Sequence, residues 1–119
     1  MAAGRPRYWF PVLFFMWYIF YVSGQTGDDI PSLFAFQDVV FHFCIYALLG
    51  WSFARALFFE MPRAGMLKIV CVCAVFGLLY GVSDEYHQSF VSGRSSEIFD
   101  IVIDTAGSLF GGILVRWLR

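Results

Sequence analysis

Charged side chains are scarce in this 119-residue chain: Lys and Arg number 8, Asp and Glu number 9, and together they make up 14% of the sequence. Ordinary globular domains carry about 25% charged residues. A small soluble domain has a large surface for its volume and needs polar groups to cover it. The shortage of charge argues against a water-soluble monomer. The net charge of −1 argues against a nucleic-acid partner, which requires a basic field.

Cysteine is also rare, and its placement excludes a disulfide framework. Cys44, Cys71 and Cys73 all lie within apolar runs. An odd number of cysteines in apolar runs is not typical of the disulfide bonds that stabilise a secreted domain. Cys71 and Cys73 are two residues apart and would point to different sides of a helix, which disfavours a metal-binding pair. We interpret all three as small packing residues.

Apolar residues are abundant: they form 60% of the chain and include 15 phenylalanines. Four apolar stretches have the roughly 17–25 residues that a helix needs to cross a bilayer, and they run over residues 8–24, 39–59, 66–83 and 98–118. This pattern predicts an all-α polytopic membrane protein with a single domain over 1–119. The expected fold is a compact four-transmembrane-helix bundle, with a polar loop or re-entrant segment between helices 3 and 4. A cleaved signal peptide is an alternative for the first stretch.

The basic residues predict the orientation, because Lys and Arg near helix ends are retained in the cytoplasm. An internal N-terminus leaves one basic residue outside, Arg94, and puts the other seven inside: Arg5, Arg7, Arg55, Arg63, Lys68, Arg116 and Arg119. Both termini are then cytoplasmic. The acidic residues other than Glu60, and both histidines, fall on the opposite side. This segregation predicts a polar site on the extracytoplasmic face.

The second helix begins with a carboxylate and an imidazole, Asp38 and His42, at a spacing that puts them on one helical face. A carboxylate can fix the tautomer of a neighbouring histidine and raise its basicity, which makes His42 a candidate general base. The alternative is that Asp38 only caps the helix while His42 forms a hydrogen bond across the bundle.

The connection between the third and fourth helices holds the densest polar cluster, residues 83–94. If the third helix continues through Gln88, then Asp84, His87 and Gln88 share one face, with Glu85 at its edge. Such spacing can hold a cation or a polar substrate. Arg94 is the expected contact for an anion, since a guanidinium matches the geometry of phosphate or carboxylate.

The fourth helix carries a stripe made of Asp100, Asp104, Gly107 and Gly111. Small residues let a neighbouring helix approach closely, so this stripe is interpreted as a packing face. A carboxylate inside a span is costly and normally faces a cavity or a partner, which makes Asp104 a candidate site residue.

The sequence from Asp84 to Arg94 reads Asp-Glu-Tyr-His-Gln-Ser-Phe-Val-Ser-Gly-Arg, and Asp100 and Gly107 follow it. This pattern closely resembles the hallmark of the VanZ-like membrane protein family, named for a teicoplanin-resistance protein. The run from Asp38 to Tyr46 resembles a second landmark of the family. Asp104 departs from the pattern, since asparagine is common there. The resemblance covers about residues 10–115 and implies a small polytopic envelope protein of the bacterial inner membrane, connected in some members with glycopeptide resistance.

Together these observations predict an outward-facing pocket that binds or modifies a polar or phosphorylated envelope-lipid head group. The candidate catalytic residues are Asp38, His42, Asp84 and His87. The candidate substrate-binding residues are Tyr46, Glu85, Gln88, Arg94, Asp100 and Asp104. A divalent metal ion is considered at Asp84, Glu85, His87 and Asp100.

The expected partners are membrane lipids, with a lipid phosphate or a lipophilic glycopeptide as ligand, and a homo-oligomer is possible. An enzyme of this kind would be a membrane-embedded hydrolase or transferase acting on lipid-linked substrates. Two alternatives stay open. The protein could hold its ligand without turnover, or the polar residues could only lock the helix bundle while function resides in a partner protein.

Overall fold

A computed structural model describes residues 5–25, 33–91 and 98–117. These ranges contain four α-helices and no strand: α1 (Arg5–Ser23), α2 (Gln37–Glu60), α3 (Met66–Gln88) and α4 (Ile98–Leu114). The prediction of an all-α fold is confirmed. By length and composition, α2 and α3 are apolar enough to cross a membrane. The span of four transmembrane helices stays a prediction.

The largest differences from the predicted spans are at the ends of α3 and α4. α3 continues past residue 83 to Gln88 and closes with a turn, in which the Ser89 amide donates to the Glu85 carbonyl. α4 ends at Leu114, short of residue 118, because the amides of Arg116 and Trp117 bond to carbonyls only three residues earlier. Such tighter bonds are usual in a last helical turn. The longer α3 carries Asp84 and its polar neighbours on regular helix.

Glycines let α4 lie directly against α2. A Cβ atom at Gly107 would meet the backbone carbonyl of Phe43, and one at Gly111 would meet the backbone of Ala47. Only glycine, which has no Cβ atom, allows two helix backbones to approach this closely. The stripe on α4 is therefore a packing face, as predicted.

Small residues also form the contact between α3 and α4. Gly77 and Gly81 of α3 face Ser108 and Asp104 of α4. The Ser108 hydroxyl donates a hydrogen bond of 2.8 Å to the carbonyl of Cys73, which is itself fully buried. Asp104 is thereby held at the centre of the bundle.

α1 packs on α2 mainly through apolar and aromatic contacts. Val12 and Ile19 of α1 share a buried cluster with Tyr46 and Leu49 of α2. The Tyr80 hydroxyl of α3 donates to the Met16 carbonyl at 2.6 Å, which ties α3 to α1. The core is therefore built by all of the described helices, and α1 completes it on one side.

The outer surface is rich in large apolar side chains. Examples of more than half exposure are Phe10, Trp17, Phe20, Leu67, Leu79 and Trp117. Soluble monomers rarely expose apolar patches of this kind, so the surface is typical of contact with lipid. The helices alternate in direction, so that the end of α1, the start of α2, the end of α3 and the start of α4 meet at one end of the bundle.

Candidate functional site

His42 and Asp104 form a buried pair that joins α2 to α4. The Nδ1 atom of His42 lies 2.7 Å from Oδ1 of Asp104. His42 is 6% exposed and Asp104 is fully buried. Asp38, by contrast, has an exposed side chain in the first turn of α2. His42 thus bonds across the bundle, as the alternative for this helix stated, and its carboxylate partner is Asp104 instead of Asp38.

Asp84 is the meeting point of three helices. The Ser23 hydroxyl of α1 donates to its Oδ1, and the Tyr46 hydroxyl of α2 donates to its Oδ2 at 3.3 Å. Both donors are buried with it. Tyr46 was among the predicted residues, but Ser23 was missed. The signal that could have found it is a hydroxyl in the last turn of an otherwise apolar helix.

Four side chains converge at this end of the bundle: His42, Asp84, Glu85 and Asp104, here called the His–carboxylate cluster. One ligand atom from each lies within 4.8 Å of the others, and all four residues are buried. Three carboxylates and one imidazole carry excess negative charge, which in a buried place needs a proton or a cation to balance it. The cluster is therefore a candidate cation site.

The donor set of the cluster fits a divalent metal ion. Oxygen donors suit Mg²⁺ and Mn²⁺, and an imidazole alongside them also suits Zn²⁺. Oδ2 of Asp104 is buried and accepts no hydrogen bond from the part of the chain that the structure describes. A buried carboxylate oxygen in this state has capacity for one more positive partner.

The metal set predicted from the sequence is only partly brought together. Asp84 and Glu85 belong to the cluster, whereas His87 and Asp100 are replaced by His42 and Asp104. The His87 ring stacks on Phe20 of α1, with centroids 4.2 Å apart and planes 4° from parallel. The His87 side chain therefore points from α3 toward α1. Asp100 lies half-buried in the first turn of α4.

A small cavity lies beside the cluster and next to a larger groove. Its wall includes Ser23, His42, Tyr46, Asp84 and Gln88, and at about 10 Å³ it has room for about one water molecule or one ion. A groove of about 430 Å³ adjoins it and shares the side chains of Val22, Phe41 and His42.

The walls of this groove are mostly apolar. They include Val22, Leu33, Phe34, Val40 and Phe41, with Asp38 and His42 among the polar groups. The site thus combines a polar cavity with a neighbouring apolar groove, the arrangement that an amphipathic ligand needs. Arg94, the predicted anion contact, lies outside the described residues, and its role stays a prediction.

Comparison with known proteins assigns this chain to a family. The family model described as VanZ/LLP1 matches residues 8–119. An uncharacterized protein of Schizosaccharomyces pombe is 39% identical over 71 residues, which are 60% of this chain and 41% of that protein. The chain thus covers less than half of that relative's length. No solved structure matches the chain.

The match spans nearly the whole sequence, and the resemblance drawn from residues 84–107 is confirmed. Together with the two helices of spanning length, it indicates a membrane protein. The chain belongs to the VanZ/LLP1 family.

Proposed function

We propose that this protein binds the polar or phosphorylated head group of an envelope lipid at the His–carboxylate cluster, with a divalent cation between the cluster and the head group. The observation that carries the proposal is the convergence of four ligand atoms within 4.8 Å, next to an apolar groove. The groove suits the acyl or prenyl chain of a lipid, and the cluster suits its polar end.

The charge of the cluster supports a cation in this role. Carboxylates of Asp84, Glu85 and Asp104 would repel a phosphate directly. A divalent ion held by them and by His42 would offset most of this negative charge, and when bound it would supply Lewis acidity toward a phosphoryl oxygen. Protonation of the carboxylates is the other route to neutrality, but it offers no attraction for an anion.

Turnover of the bound lipid, by hydrolysis or transfer, is the catalytic form of the same proposal. In this form the carboxylates hold the ion without His42, and because Asp104 engages Nδ1 of His42, Nε2 is the nitrogen left to move a proton. A histidine held in this way by a carboxylate is suited to general base catalysis. A connection with glycopeptide resistance belongs to this proposal as well, because a lipophilic glycopeptide has the same polar and apolar halves as a lipid.

The test uses the purified full-length protein in lipid nanodiscs. After incubation with Mn²⁺ or Zn²⁺ and exhaustive buffer exchange, metal content is measured by mass spectrometry for wild type, Asp84→Asn, Glu85→Gln and Asp38→Asn. We expect about one ion per chain in wild type and Asp38→Asn, and loss of most of it in the other two. Asp38→Asn is the matched control, because it removes an exposed carboxylate from the same end of the bundle.

Labelled envelope lipids, incubated with and without EDTA, then separate binding from turnover. Binding that EDTA abolishes supports the proposal, and a chemically altered lipid supports its catalytic form. Equal metal content in wild type, Asp84→Asn and Glu85→Gln would contradict the cation site.

The proposed orientation places the cluster on the extracytoplasmic side, with both termini cytoplasmic, because the basic residues gather at the other end. In a background lacking the native cysteines, Ser95→Cys should react with an impermeant thiol reagent added to intact cells, whereas Pro62→Cys should not. The reverse labelling pattern would place the cluster in the cytoplasm.

A second candidate function is purely structural, and one observation favours it. The side-chain hydrogen bonds of His42 and Asp84 described above run between different helices, to Asp104, Ser23 and Tyr46. Such bonds could serve only to fix how the helices pack. A wild-type protein that binds no divalent ion and no envelope lipid, yet unfolds when Asp84 is replaced, would favour this alternative.

A further inference from the structure

The opposite end of the bundle carries a second pocket, made of basic and aromatic side chains. It measures about 310 Å³ and is lined by Arg7 and Tyr8 of α1 and by Arg55, Phe58 and Phe59 of α2. We propose that this basic pocket binds the phosphate of an anionic phospholipid. The site is separate from the His–carboxylate cluster and does not depend on its function.

The two arginines are held in place by aromatic rings. Cζ of Arg7 lies 5.4 Å from the centroid of the Tyr8 ring, and Cζ of Arg55 lies 5.0 Å from it. Arg55 also lies 5.4 Å from the ring of Trp51. Stacking on rings orients a guanidinium and leaves the N–H groups at its edge available to an acceptor.

Among the residues that the structure describes, the arginines of the pocket have no acidic partner. Glu60, an acidic side chain at this end, accepts bonds from Arg5 Nε at 3.0 Å and from Trp9 Nε1 at 3.2 Å. Neither Arg7 nor Arg55 forms an ion pair within residues 5–25, 33–91 and 98–117. Arg55 is half-buried, so its charge is not fully solvated. The pocket therefore favours an anion.

The lining identifies the anion as part of a lipid. Guanidinium groups bind phosphate with paired hydrogen bonds, and basic pockets between transmembrane helices bind anionic head groups near the membrane surface. Phe58 and Phe59 give the same pocket an apolar side, and Phe59 stacks on Tyr8 with ring centroids 4.5 Å apart. A free phosphate would use only the arginines, whereas a phospholipid would use both sides.

The experiment measures binding of labelled phosphatidylglycerol to the full-length protein in detergent, with phosphatidylcholine as the zwitterionic comparison. The test variant is Arg7→Gln combined with Arg55→Gln. Arg63→Gln is the control, because it removes an exposed positive charge from the adjoining α2–α3 connection. We expect the double variant to bind phosphatidylglycerol at least about tenfold more weakly, and the control to change its affinity less than twofold.

Competition distinguishes the two sources of phosphate. Glycerol 3-phosphate, which has the charged group without the chains, should not displace the lipid at millimolar concentration. Equal competition by glycerol 3-phosphate would overturn the lipid assignment, and wild-type binding by the double variant would overturn the site itself.

Folding is checked in the same samples. The circular dichroism spectrum and the metal content of the double variant should match wild type, and Arg7→Lys with Arg55→Lys should recover part of the affinity by restoring the charge. An altered spectrum in the glutamine variant with no recovery in the lysine variant would count against the pocket. Unchanged metal content keeps a failure here separate from a failure of the cation site.

Discussion

The two ends of the bundle differ in how deeply their charged groups are buried. At one end, here called the acidic end, the His–carboxylate cluster is buried, and His42 bonds to Asp104 between helices. At the other end, here called the basic end, arginines such as Arg7 lie at the surface and stack on aromatic rings. Long side chains can reach the interface in this way, whereas an aspartate inside a helix bundle cannot. We therefore expect changes at the acidic end to affect stability far more than changes at the basic end.

The largest effect is expected from His42→Ala. It would leave Asp104 buried without its hydrogen-bond partner, and breaking a buried pair in this way costs about 3–5 kcal/mol. The measurement is the midpoint of denaturant unfolding in detergent. Asp38→Ala, four residues earlier and exposed, should change the free energy of unfolding by less than about 0.5 kcal/mol. Equal effects would show that burial does not separate these two residues.

Gly107→Ala should come next, because it attacks the close packing that builds the acidic end. The added Cβ would lie 2.5 Å from the Phe43 carbonyl, so α4 would have to move away from α2. Overpacking of this kind costs about 1–3 kcal/mol. Gly65→Ala is the control, since nothing lies within 4 Å of its added Cβ. A thermal melt that is unchanged for Gly107→Ala would mean that α4 can shift freely.

Addition of Mn²⁺ should stabilise the acidic end. An ion that binds only the folded protein contributes about 2.7 kcal/mol at one hundred times its dissociation constant. We expect Mn²⁺ to raise the unfolding temperature of wild type, and EDTA to reverse the rise. Glu85→Gln should respond weakly and Asp38→Asn as wild type does. A rise of equal size in Glu85→Gln would place the ion elsewhere.

The smallest effect is expected at the basic end, from Glu60→Gln. The ion pair of Glu60 with Arg5 is largely solvent-exposed on the arginine side, and such pairs contribute about 0–1 kcal/mol. The difference in unfolding free energy between wild type and Glu60→Gln should shrink further in high salt. A loss as large as that of His42→Ala would remove the distinction between the two ends.

Much of the candidate site could be named from the sequence, because its residues stand out against an apolar background. The sequence places four ionisable candidates within or beside a predicted span: His42, Asp84, Glu85 and Asp104. Their pairing could not be predicted, since helical spacing reports neighbours on one helix only. The spacing favoured Asp38 as the partner of His42, and the partner across the bundle was Asp104.

Sequence patterns alone predict that the chain is helical, that it belongs to a membrane family and that most acidic groups lie at the end away from the basic ones. Those features follow from composition, periodicity and a specific motif, all of which are local. Which carboxylates meet depends on the packed bundle, since Gly81 and Gly107 set how closely the helices approach. Contact between helices is a property of packing, and a hydrogen bond between residues 42 and 104 exists only once the bundle has formed.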